Sequence, residues 1–180
     1  FCGKKASPAT VKNDVWKLDL QSITSEWSLV STSGSTDALK RYYHTSVLYD
    51  GTKMIVFGGW NLASNLDDVW QIDLAVTTPS WSILSTSGST TALKRRSHSA
   101  ILFNSSKMIV FGGWKVNFWL DDVWQLDLSP STPIWSLITT SGVTAALKRA
   151  GHSAVLYDST KMIVYGGSEA YSDDNVWSLD

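Results

Sequence analysis

Three histidines recur at a constant spacing and are the first candidates for chemistry in this sequence. His44, His98 and His152 follow one another at intervals of 54 residues. Imidazole is a common metal ligand and a general acid or base. Equivalent positions in successive repeats are spread apart instead of meeting at one ion, and neither cysteine nor glutamate accompanies the histidines at ligand spacing. We therefore interpret all three as structural and expect no metal, no cofactor and no catalytic residue, while general-base catalysis by one of them stays an open alternative.

The charged residues form clusters with the same spacing. The basic clusters are Lys40-Arg41, Lys94-Arg95-Arg96 and Lys148-Arg149, and the acidic clusters are Asp67-Asp68, Asp121-Asp122 and Asp173-Asp174. Their charges nearly cancel, as they do over the whole chain, which has 15 basic and 16 acidic residues. A basic surface of the kind that binds nucleic acid or an anionic membrane is therefore not expected.

These spacings reflect a repeat that fills the chain, defined by a double glycine and an Asp-Val-Trp sequence. The double glycines are Gly58-Gly59, Gly112-Gly113 and Gly166-Gly167, and the tryptophan sequences are Asp14-Val15-Trp16, Asp68-Val69-Trp70, Asp122-Val123-Trp124 and the variant Asn175-Val176-Trp177. No low-complexity segment interrupts the repeats, so we place no domain boundary inside the chain.

Within one repeat the sequence indicates four β-strands. Residues 44–49 alternate and end in the turn sequence Asp50-Gly51-Thr52, which predicts a hairpin with residues 53–57. The double glycine ends this second strand. Residues 68–74 and 81–84 supply a third and a fourth strand. No segment has a convincing 3.6-residue apolar period, so the predicted fold class is all-β.

The strand order predicts how the charge clusters meet. In an antiparallel meander the first and third strands begin at the same edge, two strand spacings of about 4.8 Å apart. The second strand ends between them in two glycines, which have no side chains. We therefore predict that an arginine of the basic cluster crosses this gap to an aspartate of the same repeat.

Four antiparallel strands in a repeat of this length are typical of a β-propeller blade. The Gly-Gly strand, the Asp-Val-Trp strand, the later tryptophan and the Arg-x-x-His sequence together resemble kelch repeats, in the longer subtype with Asp-x-Trp in its third strand. The resemblance covers the whole chain and implies a kelch-type β-propeller. The residues equal in the repeats are interpreted as architectural: Gly58, Gly59, Gly112, Gly113, Gly166, Gly167, Trp70, Trp124, Trp177, His44, His98 and His152.

The repeats present do not add up to a closed propeller. We assign residues 1–31 to the end of one blade, 41–85 and 95–139 to complete blades, and 149–180 to an incomplete blade, about 3.3 blades in all. Closed rings take roughly 4–8 blades, and kelch relatives usually have about five to seven. We expect the chain to be part of such a larger ring. Alone it would expose the apolar faces of its end blades, so self-association of the isolated segment is expected.

The residues that vary between repeats are concentrated in the loop after the double glycine, at residues 60–65, 114–119 and 168–172. Binding residues commonly lie in such loops on a rigid scaffold. Our candidate binding residues are Trp60, Asn61, Trp114, Lys115, Asn117, Phe118, Trp119, Glu169 and Tyr171. Phe118 and Trp119 have no counterpart in the other repeats. Such aromatic residues are typical interface anchors, but they can equally fold back over the edge of their own blade.

We hypothesise a non-catalytic scaffold that binds a protein partner through the loops of one propeller face, as the kelch resemblance implies. The alternative is a carbohydrate-active or other small-molecule enzyme of the kelch type, with its active site in further blades. Such an enzyme would show a polar cluster that breaks the repeat, or the Ser-x-Asp-x-Gly-x-Thr-Trp sequence of sialidases, and neither occurs in this sequence.

The composition sets further limits. Ten tryptophans in 180 residues require many large apolar pockets, so the aromatic residues are expected to be mainly architectural. The apolar runs are far shorter than the roughly 18 residues of a membrane-spanning helix, so no membrane attachment is expected. The single cysteine, Cys2, allows no internal disulfide and favours the cytoplasm, although it is compatible with secretion.

Overall fold

The computed structural model describes residues 11–21, 23–34, 37–88, 93–142, 147–168 and 176–179. They form β-strands joined by turns, with a 3-10 turn at Asp37–Leu39. The strands are β1 Val15–Leu18, β2 Trp27–Val30, β3 Ser33–Gly34, β4 Thr45–Tyr49, β5 Lys53–Phe57, β6 Val69–Asp73, β7 Ser80–Ile83, β8 Ser87–Gly88, β9 Ser99–Phe103, β10 Lys107–Lys115, β11 Phe118–Asp127, β12 Ile134–Ile138, β13 Ser153–Tyr157, β14 Lys161–Tyr165 and β15 Val176–Leu179. The predicted all-β fold class is confirmed. No helix among the described residues has the length and apolar character needed to cross a membrane.

The strands form four sheets, which we number as blades 1 to 4. Blade 1 contains β1 and β2, blade 2 contains β4 to β7, blade 3 contains β9 to β12, and blade 4 contains β13 to β15. Consecutive strands in a blade are antiparallel neighbours. The first strand of blade 3, β9, contacts β4 of blade 2 on one side and β13 of blade 4 on the other, so the first strands form the inner side of the arrangement. The four blades do not close a ring.

Blades 2 and 3 each gain a short fifth strand that the sequence pattern does not predict. Two residues of the connection from the preceding blade, Ser33-Gly34 or Ser87-Gly88, pair in parallel with the fourth strand. A Cβ atom at Gly34 would collide with the backbone of Trp81. Glycine therefore lets the connection lie directly against the outer strand, whose edge would otherwise be unpaired.

The core lies between adjacent blades. Val47 and Phe57 of blade 2 belong to the same buried cluster as Trp124 and Trp135 of blade 3. The ring centroids of Phe57 and Trp135 are 4.8 Å apart. On its other side, blade 3 packs against β13 and β14 of blade 4. The tryptophans thus fill the space between blades, where burial of large apolar side chains contributes most to stability.

The double glycines allow adjacent blades to approach closely at one edge. All six glycines have positive φ angles, between 61° and 101°. The N–H of Gly59 donates a hydrogen bond of 2.9 Å to the carbonyl of Arg95 in the next blade. A Cβ atom at Gly58 would lie 2.9 Å from the same carbonyl and 3.0 Å from the ring of His98. A side chain at Gly58 would therefore force these blades apart.

A buried arginine connects the first and third strands at this edge, as the charge clusters predict. The guanidinium of Arg95 donates hydrogen bonds of 2.8 and 2.9 Å to the carboxylate of Asp122, and one of 3.0 Å to the carbonyl of Gly112. Blade 2 repeats these contacts with Arg41, Asp68 and Gly58. In blade 4, Arg149 donates to the carbonyl of Gly166, whereas Asp174 lies outside the described residues.

The same aspartate holds the tryptophan two residues later, because residues i and i+2 share one face of a strand. The indole Nε1 of Trp124 donates a hydrogen bond of 2.6 Å to Asp122, as Trp70 does to Asp68. Burial alone raises the pKa of Asp122, but the hydrogen bonds and positive charge of Arg95 outweigh burial and lower that pKa below its ordinary value. We call each set of three side chains the Arg-Asp-Trp cluster.

Two of the histidines bond to the blade before their own. Nε2 of His98 lies 2.7 Å from Oγ1 of Thr45, and Nε2 of His152 lies 2.8 Å from Oγ of Ser99. The ring of His98 also contacts Phe57 of the preceding blade edge-on, with centroids 5.2 Å apart. The histidines join neighbouring blades.

Their surroundings keep the histidines neutral at pH 7. Burial first, and then the charge of the arginine three residues earlier, lowers the pKa of His44 and of His152 to about 4. The same two causes lower the pKa of His98 well below its ordinary value. Within the described part of the chain, no group of three or more His, Cys, Asp or Glu side chains is placed to hold a metal ion.

We predict that removal of the buried arginine strongly destabilises the protein. In Arg95→Met, Asp122 loses its charge partner and the carbonyl of Gly112 loses its donor. The free energy of unfolding of the intact protein should fall by about 3 kcal/mol or more. The matched control is Arg96→Met, because the guanidinium of Arg96 makes no hydrogen bond or ion pair to a described residue; its expected loss is below about 1 kcal/mol. Equal losses in chemical denaturation would contradict the role of Arg95.

We also predict that stability falls as the pH decreases from about 7 to 4.5. A histidine of the unfolded chain titrates near 6.5, whereas His44 and His152 in the folded protein titrate near 4, so the unfolded chain binds protons first. Their contribution is complete above pH 6.5 and is lost as the pH falls towards 4, by at most about 1.4 kcal/mol per pH unit for each histidine. Denaturation at a series of pH values measures this slope. It should become shallower in His152→Asn and stay unchanged in Lys53→Gln; a flat wild-type profile between pH 7 and 5 would refute the prediction.

Candidate interaction face

The edge of the blades where the second strand ends and the first and third strands begin is the candidate interaction face, and we call it the loop face. In blades 2, 3 and 4 a backbone bridge joins the segment before the first strand to the residue after the double glycine. The bridged pairs are Tyr42 with Trp60, Arg96 with Trp114, and Ala150 with Ser168. Two hydrogen bonds of 2.8 and 3.1 Å form each bridge. In blades 2 and 3 the Arg-Asp-Trp cluster lies beneath the bridge, so the variable residues start from a fixed position.

In blade 2 the loop of residues 60–65 is a compact turn. Oδ1 of Asn61 accepts hydrogen bonds from the backbone N–H groups of Ala63 and Ser64, at 3.0 and 2.8 Å. Trp60 is half-buried and bridges to Asn65 across the turn. Asn61 therefore shapes the loop through its own side chain, as asparagine commonly does in turns.

In blade 3 the equivalent residues 114–119 form a hairpin instead of a loop, which corrects the expectation from the sequence. Strands β10 and β11 continue beyond a register shift at Phe111/Gly113, and Lys115 pairs with Phe118. Val116 and Asn117 make the turn, and Val116 has a φ of 54°. A β-branched residue is strained in this left-handed region. Val116 and Phe118 are both 68% exposed, so the hairpin presents an apolar tip.

The two adjacent aromatic residues of this hairpin have different environments. Trp119 is half-buried and lies edge-on to Trp114, with ring centroids 4.4 Å apart. Phe118 projects from the tip. The sequence left two interpretations of this pair open, a cover over the edge of the blade and an exposed interface anchor. The environment of Trp119 fits the first interpretation, and that of Phe118 fits the second. Lys115 is half-buried and Asn117 is exposed.

Three further residues of the loop face were missed by sequence analysis. Tyr42 and Tyr43 contact each other with ring centroids 4.7 Å apart, and Tyr43 is 45% exposed. The guanidinium of Arg96 lies 4.5 Å from the ring centroid of Trp60 in the preceding blade. The available signal was the Arg-x-x-His sequence, because its two middle residues differ between repeats while its ends do not. They are Tyr42-Tyr43, Arg96-Ser97 and Ala150-Gly151.

A row of backbone hydrogen bonds joins these middle residues across the blades. The N–H of Gly151 donates to the carbonyl of Ser97, at 2.8 Å, and the N–H of Ser97 donates to the carbonyl of Tyr43, at 2.9 Å. The φ angles of Tyr43 and Ser97 are 60° and 55°. The loop face thus has a continuous backbone support on its inner side.

Of the remaining candidates, Glu169 and Tyr171 lie outside the described residues, as does the side chain of Trp177.

Comparisons with known proteins agree with this architecture. The family model of the KLHDC2/KLHL20/DRC7 Kelch-repeats domain matches residues 1–167. Adagio protein 3 of Arabidopsis thaliana is 33% identical over 156 residues, which are 86% of this chain and 24% of that protein. An F-box/kelch-repeat protein of the same plant is 30% identical over 146 residues, covering 76% of this chain and 30% of the relative. Tip elongation aberrant protein 1 of Schizosaccharomyces pombe is 33% identical over 150 residues, covering 79% of this chain and 12% of that protein. The chain spans about a quarter of the length of the Adagio relatives it matches, and it belongs to the kelch-repeat family.

Proposed function

We propose that this chain is a non-catalytic scaffold that binds a protein partner through the loop face. The observation that carries the proposal is the exposed apolar tip of the 114–119 hairpin, where Val116 and Phe118 project from a rigid blade. Exposed apolar residues on a fixed support are characteristic of protein-binding sites.

The strain at Val116 supports the same proposal. A β-branched residue in the left-handed region costs roughly 1–3 kcal/mol and persists where the surrounding structure imposes it. Here the pairing of Trp114 with Trp119 and of Lys115 with Phe118 imposes the turn. Asparagine or glycine would relieve this strain, so the presence of valine favours a role for its exposed side chain.

The family supports protein binding in general terms. Kelch-repeat domains are typically protein-interaction scaffolds, and one relative carries an F-box beside its kelch repeats in its name. The partner of this chain follows from none of these names. We also propose that the isolated segment self-associates, because Trp16 and Trp27 of blade 1 and Tyr157 and Tyr165 of blade 4 are exposed.

We predict that Phe118→Ser strongly weakens partner binding without loss of stability. Truncation of a central aromatic anchor typically costs about 2 kcal/mol or more of binding free energy, which is a roughly thirtyfold loss of affinity. The measurement is quantitative affinity capture from cell extract with the intact protein, together with its melting temperature. The matched control is Leu137→Ser, which removes an exposed apolar side chain of the fourth strand, opposite Trp124 and outside the 114–119 hairpin.

The result expected is a set of proteins captured by the wild type and by Leu137→Ser but lost with Phe118→Ser at an unchanged melting temperature. Equal capture by all three would refute the proposal. A lower melting temperature of Phe118→Ser with full capture would show that Phe118 only covers its own blade.

A further inference from the structure

We propose that the loop face of blades 2 and 3 binds an extended segment of a partner protein that carries an acidic side chain, and that Arg96 receives this carboxylate. The inference rests on the proposed function, since it specifies the chemistry of the same partner. The carboxylate belongs to an aspartate or glutamate flanked by apolar residues.

The first observation is the contrast between two adjacent arginines. Arg95 is fully buried and its guanidinium is bonded to Asp122 and to two backbone carbonyls. Arg96 is half-buried, and its guanidinium makes no hydrogen bond or ion pair to any residue that the structure describes. A guanidinium has five N–H donors. Those of Arg96 are therefore available to a ligand.

The second observation is the orientation of Arg96 over Trp60, at 4.5 Å from the ring centroid. An aromatic ring beneath a guanidinium attracts the cation and restricts its position, while the N–H groups at the edge of the guanidinium remain accessible. A carboxylate is the group that such a planar edge binds with two parallel hydrogen bonds. The contact with Trp60 thus positions Arg96 before the partner arrives.

The third observation is the series of aromatic residues on both sides of Arg96. In blade 2 the guanidinium contacts Trp60, and in blade 3 the backbone of Arg96 pairs with Trp114. Trp114 contacts Trp119 edge-on, and the exposed Phe118 precedes Trp119 at the hairpin tip. These contacts run from one blade to the next across the loop face. An extended chain with apolar side chains on either side of one acidic residue matches this order.

The charges of the loop face favour one carboxylate over a polyanion. The aspartates of the Arg-Asp-Trp clusters, Asp68 and Asp122, are engaged by Arg41 and Arg95 below the surface. The hairpin adds a second basic residue, Lys115, and two acidic residues, Asp67 and Asp121, follow the variable segments 60–65 and 114–119 in the sequence. Nucleic acid needs a row of phosphate contacts, whereas an acidic side chain needs one positioned cation.

The test uses peptides selected from a phage-displayed random library on the intact protein. Selected sequences are synthesised with their acidic residue or with the matching amide, and binding is measured by fluorescence anisotropy. The variants are Arg96→Gln, Trp60→Leu and Phe118→Ser. The matched control is Lys94→Gln, which removes the same charge from an exposed residue two positions away. A single-stranded oligouridylate is the probe for nucleic acid.

We expect enrichment of peptides with aspartate or glutamate between apolar residues. Arg96→Gln should weaken their binding about ten- to a hundredfold, and Trp60→Leu should weaken it less. The amide peptide should bind the wild type and Arg96→Gln equally, and Lys94→Gln should bind the acidic peptide as the wild type does.

Three results would overturn the inference: no enriched peptides, peptides whose affinity does not depend on both Arg96 and the acidic residue, or oligouridylate that binds through Arg96. Peptides that lose affinity in Phe118→Ser but not in Arg96→Gln would leave the proposed function standing and refute only the role of Arg96. Peptides that are insensitive to both variants would count against both proposals.

Discussion

The buried guanidinium in each complete blade is the constraint on which the rest of the structure depends. Arg95 has no exposed surface, and an unpaired charge in that position would be strongly unfavourable. Its carboxylate partner must therefore lie at the start of the third strand, and the second strand between them must end without side chains. One aspartate satisfies both the arginine and the tryptophan that packs against the neighbouring blade. Charge pairing within a blade and apolar packing between blades thus depend on the same residue.

This arrangement separates the support from the surface that varies. Residues 60–65 and 114–119 have equal length, and both lie between Gly-Gly and Leu-Asp-Asp-Val-Trp. One segment forms a turn shaped by Asn61, and the other forms a hairpin with an exposed apolar tip. Since the flanking residues are held by the Arg-Asp-Trp cluster and by the backbone bridges, the six residues between them can change shape without a change in the blade.

Much of the fold follows from the sequence because its determinants are local and repeated. The period of two, the double glycines and the charge clusters indicate the strands and the Arg–Asp pairing. Sequence analysis left open which aspartate of Asp121-Asp122 pairs; strand alternation decides it, since only Asp122 shares a face with Trp124. The hairpin was missed because Val116 violates the rules for tight turns, and because the sequence pattern does not indicate the edge-on contact between Trp114 and Trp119 across it. The parallel strand at Ser33-Gly34 was missed because it has only two residues and its partner lies 47 positions away, at Ser80.

Prediction of the candidate site was less complete for a related reason. The loops were identified by their variation, but Arg96 was grouped with its basic neighbours as part of a structural cluster. Its contact with Trp60 joins two blades, and no spacing within one repeat reveals such a contact. Tyr43 was missed in the same way, since it occupies a position between two constant residues and its support comes from the backbone of Ser97 in the next blade.

Replacement of one variable segment by the other tests most directly whether the blades fold independently of their variable segments. Residues 60–65 of the intact protein would be replaced by the sequence of residues 114–119, Trp-Lys-Val-Asn-Phe-Trp, and the free energy of unfolding would be measured by chemical denaturation. The account predicts a change within about 1 kcal/mol, because the flanking glycines, aspartates and tryptophan are retained. A loss of about 3 kcal/mol or more, comparable to breaking a buried ion pair, would show that the blade depends on its own loop and would contradict the account.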